Sequence, residues 1–116
     1  NDVGTDMLDE VERATHFFNE HYNQPIIIED YAKDRGMTAN WFIQSFRKIT
    51  KFTPMQYILN LRMTNAMNLI DNTNYNMTQI ATAIGYDNSM YFSRVFKKHT
   101  GMTPTEYKHR NDTGKE

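Results

Sequence analysis

At 116 residues, 39% of them hydrophobic and 23% charged, the chain is long enough to bury one core and has the balance of an ordinary globular domain. It has no cysteine, no apolar run near the ~18 residues of a membrane span and no basic-then-apolar leader. Disulfides and thiolate metal sites are thereby excluded, and a reducing compartment suits the chain. A formal net charge of −1 argues at first against a nucleic-acid partner. The first residue is asparagine, so a fragment of a longer protein is expected.

The spacing of Met7, Leu8, Val11, Ala14, Phe17, Phe18 and His21 predicts an amphipathic helix over Asp6–Tyr22, with acids in the first turn where the helix dipole favours them. Gln24-Pro25 ends it. A shorter helix is expected from Ile28 to Arg35, stopped by Gly36, and Thr38 caps a third that runs from Ala39 to about Thr50. Phe42, Phe46 and Ile49 share one face of that helix. Thr53-Pro54-Met55-Gln56 opens the longest helix, with Thr53 as N-cap, Pro54 at the first helical position and Gln56 closing a capping box. Ile58, Leu61, Ala66, Leu69 and Ile70 are its expected buried face, and Asn72-Thr73-Asn74 breaks it. A short helix follows from Asn76 to Ile84, Gly85 stops it, and Asp87 or Asn88 caps a helix to about His99. Thr103-Pro104-Thr105-Glu106 is a second capping box before a last short helix. No strand-like alternation competes, so the class is all-α.

The order of these elements repeats. Phe46-Arg47-Lys48 recurs as Phe96-Lys97-Lys98, Thr50 as Thr100, Thr53-Pro54 as Thr103-Pro104 and Tyr57 as Tyr107, all at an offset of fifty, and Ala32 and Gly36 recur as Ala81 and Gly85 one residue closer. Each unit reads as short helix, glycine turn, second helix with a basic end, and capped helix, which is the helix-turn-helix order. The tight turn calls for positive φ, where a Cβ clashes. Ala32 and Ala81 leave room for close helix packing. With the phenylalanine pairs turned inward, the opposite face carries Asn40, Gln44 and Arg47 in one unit and Ser89, Arg94 and Lys97 in the other, side chains able to bond base edges or phosphates.

The near-zero net charge also conceals a division. Residues 1–30 hold eight acids against Arg13 alone, a balance of −7, while residues 31–110 hold eleven lysines and arginines against Asp34, Asp71, Asp87 and Glu106, a balance of +7. Phosphate responds to local charge. The same figures also describe two solvated faces, and basic helix ends are favoured by the dipole without DNA.

The run from Gln79 to Tyr107 resembles the signature of the AraC/XylS family of transcription regulators: Ile80-Ala81 with Gly85-Tyr86, then Tyr91-Phe92-Ser93-Arg94-Val95-Phe96-Lys97-Lys98, then Gly101-Met102-Thr103-Pro104 with Tyr107. Gly36-Met37-Thr38, Phe46-Arg47-Lys48 and Thr53-Pro54-Met55-Gln56-Tyr57-Ile58 match its weaker first half. Leu61-Arg62-Met63 with Ala66 and Leu69-Ile70 is similar to its linker helix. The resemblance covers roughly residues 7 to 110.

It implies about seven helices in two helix-turn-helix subdomains, over 5–52 and 73–110, joined by a linker helix over 53–72, with 111–116 a tail. The two recognition helices are then expected in successive major-groove segments about one DNA turn, ~34 Å, apart. Carried over by position, Ala39, Asn40, Ile43, Gln44 and Arg47, with Ser89, Met90 and Arg94, are the base contacts. Thr38, Lys48, Lys51, Asn88, Lys97 and Lys98 are the backbone contacts. Gln44 suits a bidentate contact to adenine, and Arg94 a guanine or a phosphate. Met90 stands where many members carry a small polar residue, which implies an apolar contact to a thymine methyl. Lys51 replaces the glycine matching Gly101, so the turn after the first recognition helix is expected to differ. The low pI is expected to weaken non-specific binding.

The resemblance further implies double-stranded DNA and RNA polymerase as partners, and activation as the commoner mode. It implies an effector or signalling domain N-terminal to this fragment, a cytoplasmic location, and, for an anchored full-length protein, an anchor outside these residues. No cofactor, metal or small-molecule site is expected. His16, His21, His99 and His109 lack ligand spacing, and no phosphate loop, nucleophile elbow or carboxylate pair points to an enzyme. Trp41 is read as packing rather than base stacking, the methionines as gap-fillers, and the acidic first helix as a cover for the core. The competing reading is a helical protein-interaction module without DNA binding.

Overall fold

The computed structural model describes residues 2–112, with side chains from residue 6 onward. The described residues form α1 (Asp2–His21), α2 (Ile28–Asp34), α3 (Ala39–Thr50), α4 (Pro54–Asn72), α5 (Met77–Ala83), α6 (Ser89–Thr100) and α7 (Pro104–Lys108), with no strand among them. The all-α class is as read from the sequence. Of the expected tail, residues 113–116 lie outside the described residues; Asp112 closes a turn onto the His109 carbonyl at 3.0 Å.

The local chemistry that starts these helices is largely that expected. Thr38 takes the Trp41 N–H at 3.1 Å to open α3. Thr53 and Gln56 exchange reciprocal bonds of 2.9 and 3.2 Å ahead of α4, and Thr103 and Glu106 do the same at 2.8 and 3.1 Å ahead of α7. Of the two candidates before α6, Asn88 is the cap: its side-chain oxygen accepts from Met90 and Tyr91 N–H at 2.8 and 3.0 Å. Each such cap contributes about 1 kcal/mol. A further box, Asn76 with Gln79, opens α5. α2 has no side-chain cap, and its place is set by the burial of Ile28 and Ala32.

Both interhelix glycines have positive φ, +76° at Gly36 and +103° at Gly85. Around each, two bonds run back into the preceding helix: Gly36 N–H to Lys33 and Met37 N–H to Ala32 at 3.0 and 2.8 Å, and Gly85 N–H to Thr82 and Tyr86 N–H to Ala81 at 3.1 and 2.8 Å. This is the Schellman arrangement, made twice. A Cβ added at Gly36 would meet no neighbouring atom within 4 Å, so the clash that favours glycine there is with its own backbone.

Two compact units meet inside α4, with the boundary between Leu61 and Arg62. In the first, Val11, Ala14, Phe18, Ile28, Ala32, Phe42, Phe46 and Ile58 form the buried core. Phe18 is the hub, with its ring centroid 6.4, 5.7 and 6.2 Å from those of Phe42, Phe46 and Tyr57. In the second unit Met63, Ala66, Ile70, Ile80, Ala81, Ile84, Phe92 and Phe96 are buried. The aromatic geometry is copied: Phe42–Phe46 and Phe92–Phe96 are both 5.7 Å apart, and Phe46–Tyr57 and Phe96–Tyr107 stand edge-on at 5.4 and 5.6 Å. The repeat also includes a third helix that sequence comparison did not align. Val11, Ala14 and Phe18 of α1 correspond to Met63, Ala66 and Ile70 of α4, with the same 3-then-4 spacing.

Some expectations are corrected. Leu8 is 57% exposed, because it lies about a quarter-turn off the Val11–Ala14–Phe18 stripe. Leu61 and Leu69 are half-buried, and Met63, outside the expected face, is fully buried alongside Ala66. The turn after α3 does not differ from its counterpart. Lys51 adopts the left-handed conformation at φ +71° where Gly101 has +90°, and both N–H groups bond four residues back, to Arg47 and Lys97. Thr50 and Thr100 hold the chain identically, each hydroxyl 2.8 Å from the carbonyl four residues back and accepting the N–H two residues on. These bonds impose the turn whichever residue occupies it, so Lys51 carries a strain that glycine would not.

Lys51→Gly should therefore raise stability by about 1 kcal/mol, the cost of a left-handed L-residue, and urea unfolding measures the gain. A second outcome concerns pH. The Thr103 N–H bond, with the Lys97 charge as a lesser cause, holds the Glu106 carboxyl below the usual carboxylate range. The stabilisation it gives is present above its unfolded value and is lost as pH falls through the lower folded value. The Thr103 amide shift should follow that acid titration, and the Thr53 amide, held by neutral Gln56, should stay flat.

Candidate nucleic-acid interface

The second helix of each helix-turn-helix, α3 and α6, is twelve residues long and contains no aspartate or glutamate. α1, by contrast, carries Asp2, Asp6, Asp9, Glu10, Glu12 and Glu20 against Arg13 alone. The rotation of α3 and α6 about their axes is set by their buried pairs, Phe42 with Phe46 and Phe92 with Phe96. At about 3.6 residues per turn, Gln44 and Arg94 then fall opposite the midpoints of those pairs. Asn40, Arg47 and Lys48 flank Gln44, and Met90, Lys97 and Lys98 flank Arg94; all eight are exposed.

None of these eight side chains makes a hydrogen bond or ion pair to another described residue. The ion pairs involving arginine lie elsewhere, Arg35 with Glu10 at 3.2 Å and Arg110 with Asp71 at 3.0 Å. Those pairs tie down scaffold cations and leave the cations of α3 and α6 facing solvent. Basic side chains gather in the last turns, Arg47 and Lys48 in α3 and Lys97, Lys98 and His99 in α6.

The remaining expected contacts sit less simply. Ala39 and Ser89 are half-buried at the starts of their helices. Ile43 is also half-buried, at the side of the outward arc, where it lines an open apolar groove with Ile26, Ile27, Pro54 and Met55. Thr38 and Asn88 are exposed, and their oxygens are engaged as N-caps. The Lys51 ammonium folds back onto the Lys48 carbonyl at 3.2 Å. Trp41 is half-buried against the core of the first unit, in keeping with packing. Two exposed side chains of the second unit stand out, Met90 at 73% and Tyr91 at 50%. Tyr91 belongs to the family signature in the sequence and is not among the expected contacts.

A helix-turn-helix domain model matches residues 31–110, the same span that carries the positive balance. Among relatives, the MmsAB operon regulatory protein of Pseudomonas aeruginosa is 32% identical over 81% of this chain and 31% of its own length. The lactose operon transcription activator of Staphylococcus xylosus is 31% identical over 92% of this chain and 39% of its own. The C-terminal domain of AraT, a response regulator from Geobacillus stearothermophilus, superposes with a TM-score of 0.82 at 26% identity, over 86% of this chain and 84% of that one. The chain belongs to the AraC/XylS family, as its DNA-binding domain. It spans about a third of the length of the two curated relatives. Among the described residues no helix is long and apolar enough to cross a membrane, and no group of histidines and acids is placed to hold a metal ion.

If Lys97 and Lys98 meet phosphates, replacing both with alanine should weaken binding to all duplexes alike. It should also make the slope of log affinity against log salt shallower by about two. Fluorescence anisotropy across a salt series measures both.

Proposed function

We propose that this domain binds double-stranded DNA sequence-specifically, with α3 and α6 as recognition helices in adjacent major-groove segments. The supporting observation is the duplicated geometry of two acid-free helices, each turned by a buried phenylalanine pair so that polar and basic side chains face outward unpaired. Gln44 reads adenine and Arg94 reads guanine, each through two hydrogen bonds in the major groove. Asn40, Arg47, Ala39 and Ile43, with Ser89 and Met90, complete the base-facing set. Thr38, Asn88, Lys48, Lys97 and Lys98 meet phosphates, and Lys51 does so once released from the Lys48 carbonyl. Because the outward residues of the two units differ, the site has two unlike halves about one turn apart, and one chain reads both.

In the cell the domain regulates transcription in the cytoplasm as part of a longer protein. It acts as an activator that contacts RNA polymerase under the control of an effector or signalling domain. The name of the lactose operon relative supports activation.

A second reading, a protein-interaction module, has one observation in its favour. The groove of the first unit is apolar at Ile27, Ile43 and Met55, where the second unit carries Asn76, Ser93 and Thr105. The fold therefore does not require apolar residues there.

Selection of bound sequences from a random duplex library separates the two readings. A bipartite motif with halves about one turn apart is expected, with Gln44→Ala and Arg94→Ala each costing 1–3 kcal/mol (roughly) at one half only. No enrichment would favour the interaction module. An unchanged preference in both variants would remove the assignment of Gln44 and Arg94.

A further inference from the structure

Tyr91 breaks the symmetry between the two recognition helices. Its counterpart fifty residues earlier is Trp41, half-buried against the first core, whereas Tyr91 is half exposed. On α6 it lies one turn before Arg94 and on the outward arc, with Met90 on the other side of the Arg94 line. Two apolar side chains thus occupy the first turn of α6, where α3 presents Asn40. An exposed phenol on a helix ordinarily samples several rotamers, and this one packs against a neighbouring ring. Its ring stands edge-on to that of Tyr86 at 5.8 Å.

Tyr86 is itself fixed from several directions. Its N–H is bonded to the Ala81 carbonyl at 2.8 Å, its ring lies 5.9 Å from buried Phe92, and the Arg62 guanidinium of α4 sits 5.0 Å over it. The chain Arg62–Tyr86–Tyr91 therefore runs from α4 to the outward face of α6, all within the second unit. A side chain ordered before binding loses less conformational freedom on contact. Arg62 belongs to α4 and not to α6, and its contact toward Tyr91 is the one it makes with the Tyr86 ring.

We infer that Tyr91 is a further specificity-determining residue, whose ring packs on a thymine methyl beside the base met by Arg94, and that Arg62 positions it through Tyr86. The thymine methyl is the apolar group that distinguishes a base pair in the major groove, and it is what an ordered ring beside Met90 fits. The inference rests on the DNA-binding reading above.

The test uses the site selected by the unmodified domain, single base-pair changes within it, and affinities across a salt series. Tyr91→Ala should reduce discrimination at one or two neighbouring thymine positions about tenfold. Tyr91→Phe should retain that discrimination, and neither variant should alter the salt slope, because no charge is removed. Arg62→Gln should lower discrimination at the same positions with the slope unchanged, add nothing to Tyr91→Ala in the double variant, and be rescued by Arg62→Lys. Thermal unfolding shows which variants are folded, and the phenylalanine and lysine variants carry the test if the others are not. Unchanged preference in Tyr91→Ala, or equal loss in Tyr91→Phe, would overturn the ring contact. A slope shallower by about one in Arg62→Gln would make Arg62 a phosphate contact and overturn its positioning role. Failure of the unmodified domain to select any site is a different result, which removes the DNA-binding reading itself.

Discussion

Four phenylalanines set the orientation of everything that faces outward. Phe42 with Phe46, and Phe92 with Phe96, lie one turn apart on their helices and are fully buried. Taking each side chain out of water contributes about 2–3 kcal/mol, and edge-on partners add to that, Tyr57 in one unit and Tyr107 in the other. A rotation of either helix by a single residue would expose one ring and bury a polar or charged side chain. The hydrophobic term therefore fixes which side chains point away from the core. Gln44 and Arg94 are presented to solvent because of where the phenylalanines go.

Charge is arranged on the same scaffold by segregation. A domain of formal charge −1 concentrates acids on α1 and keeps them off α3 and α6. Glu10 and Asp71 are matched with Arg35 and Arg110, pairs of partial exposure that are worth little to stability. Those pairs neutralise scaffold arginines, and among the described residues the cations of α3 and α6 form no such pair. The sum over the chain is thus a poor guide to its partner, and the distribution along it a good one.

Repetition of the scaffold with divergence of the exposed face runs through both units. The Schellman bonds at Gly36 and Gly85 are alike, as are the hydroxyl bridges of Thr50 and Thr100, and even Lys51 is drawn into the conformation Gly101 adopts freely. The outward pairs are unlike: Asn40 and Met90, Gln44 and Arg94. Packing and backbone hydrogen bonding constrain the first group, since a buried polar group or a lost core contact is costly. No such term acts on the second group.

Much of this was determined by the sequence alone, because it rests on short-range terms. Helical periodicity, the Thr53–Gln56 and Thr103–Glu106 boxes, the Thr38 cap and the two positive-φ glycines are settled within a few residues of chain. The duplicated motif placed the recognition helices and their outward faces. Only the tertiary structure decided what depends on neighbours distant in sequence. Leu8 is exposed and Met63 buried because small rotations of α1 and α4 set which residues meet the cores. Lys51 takes a left-handed turn because Thr50 and the helix it ends dictate it. Ile43 faces a groove made by α2 and α4, and Tyr91 is half exposed while Trp41 is packed. Periodicity assigns a residue to a side of its own helix; what stands on that side, protein or solvent, is a property of the assembled fold.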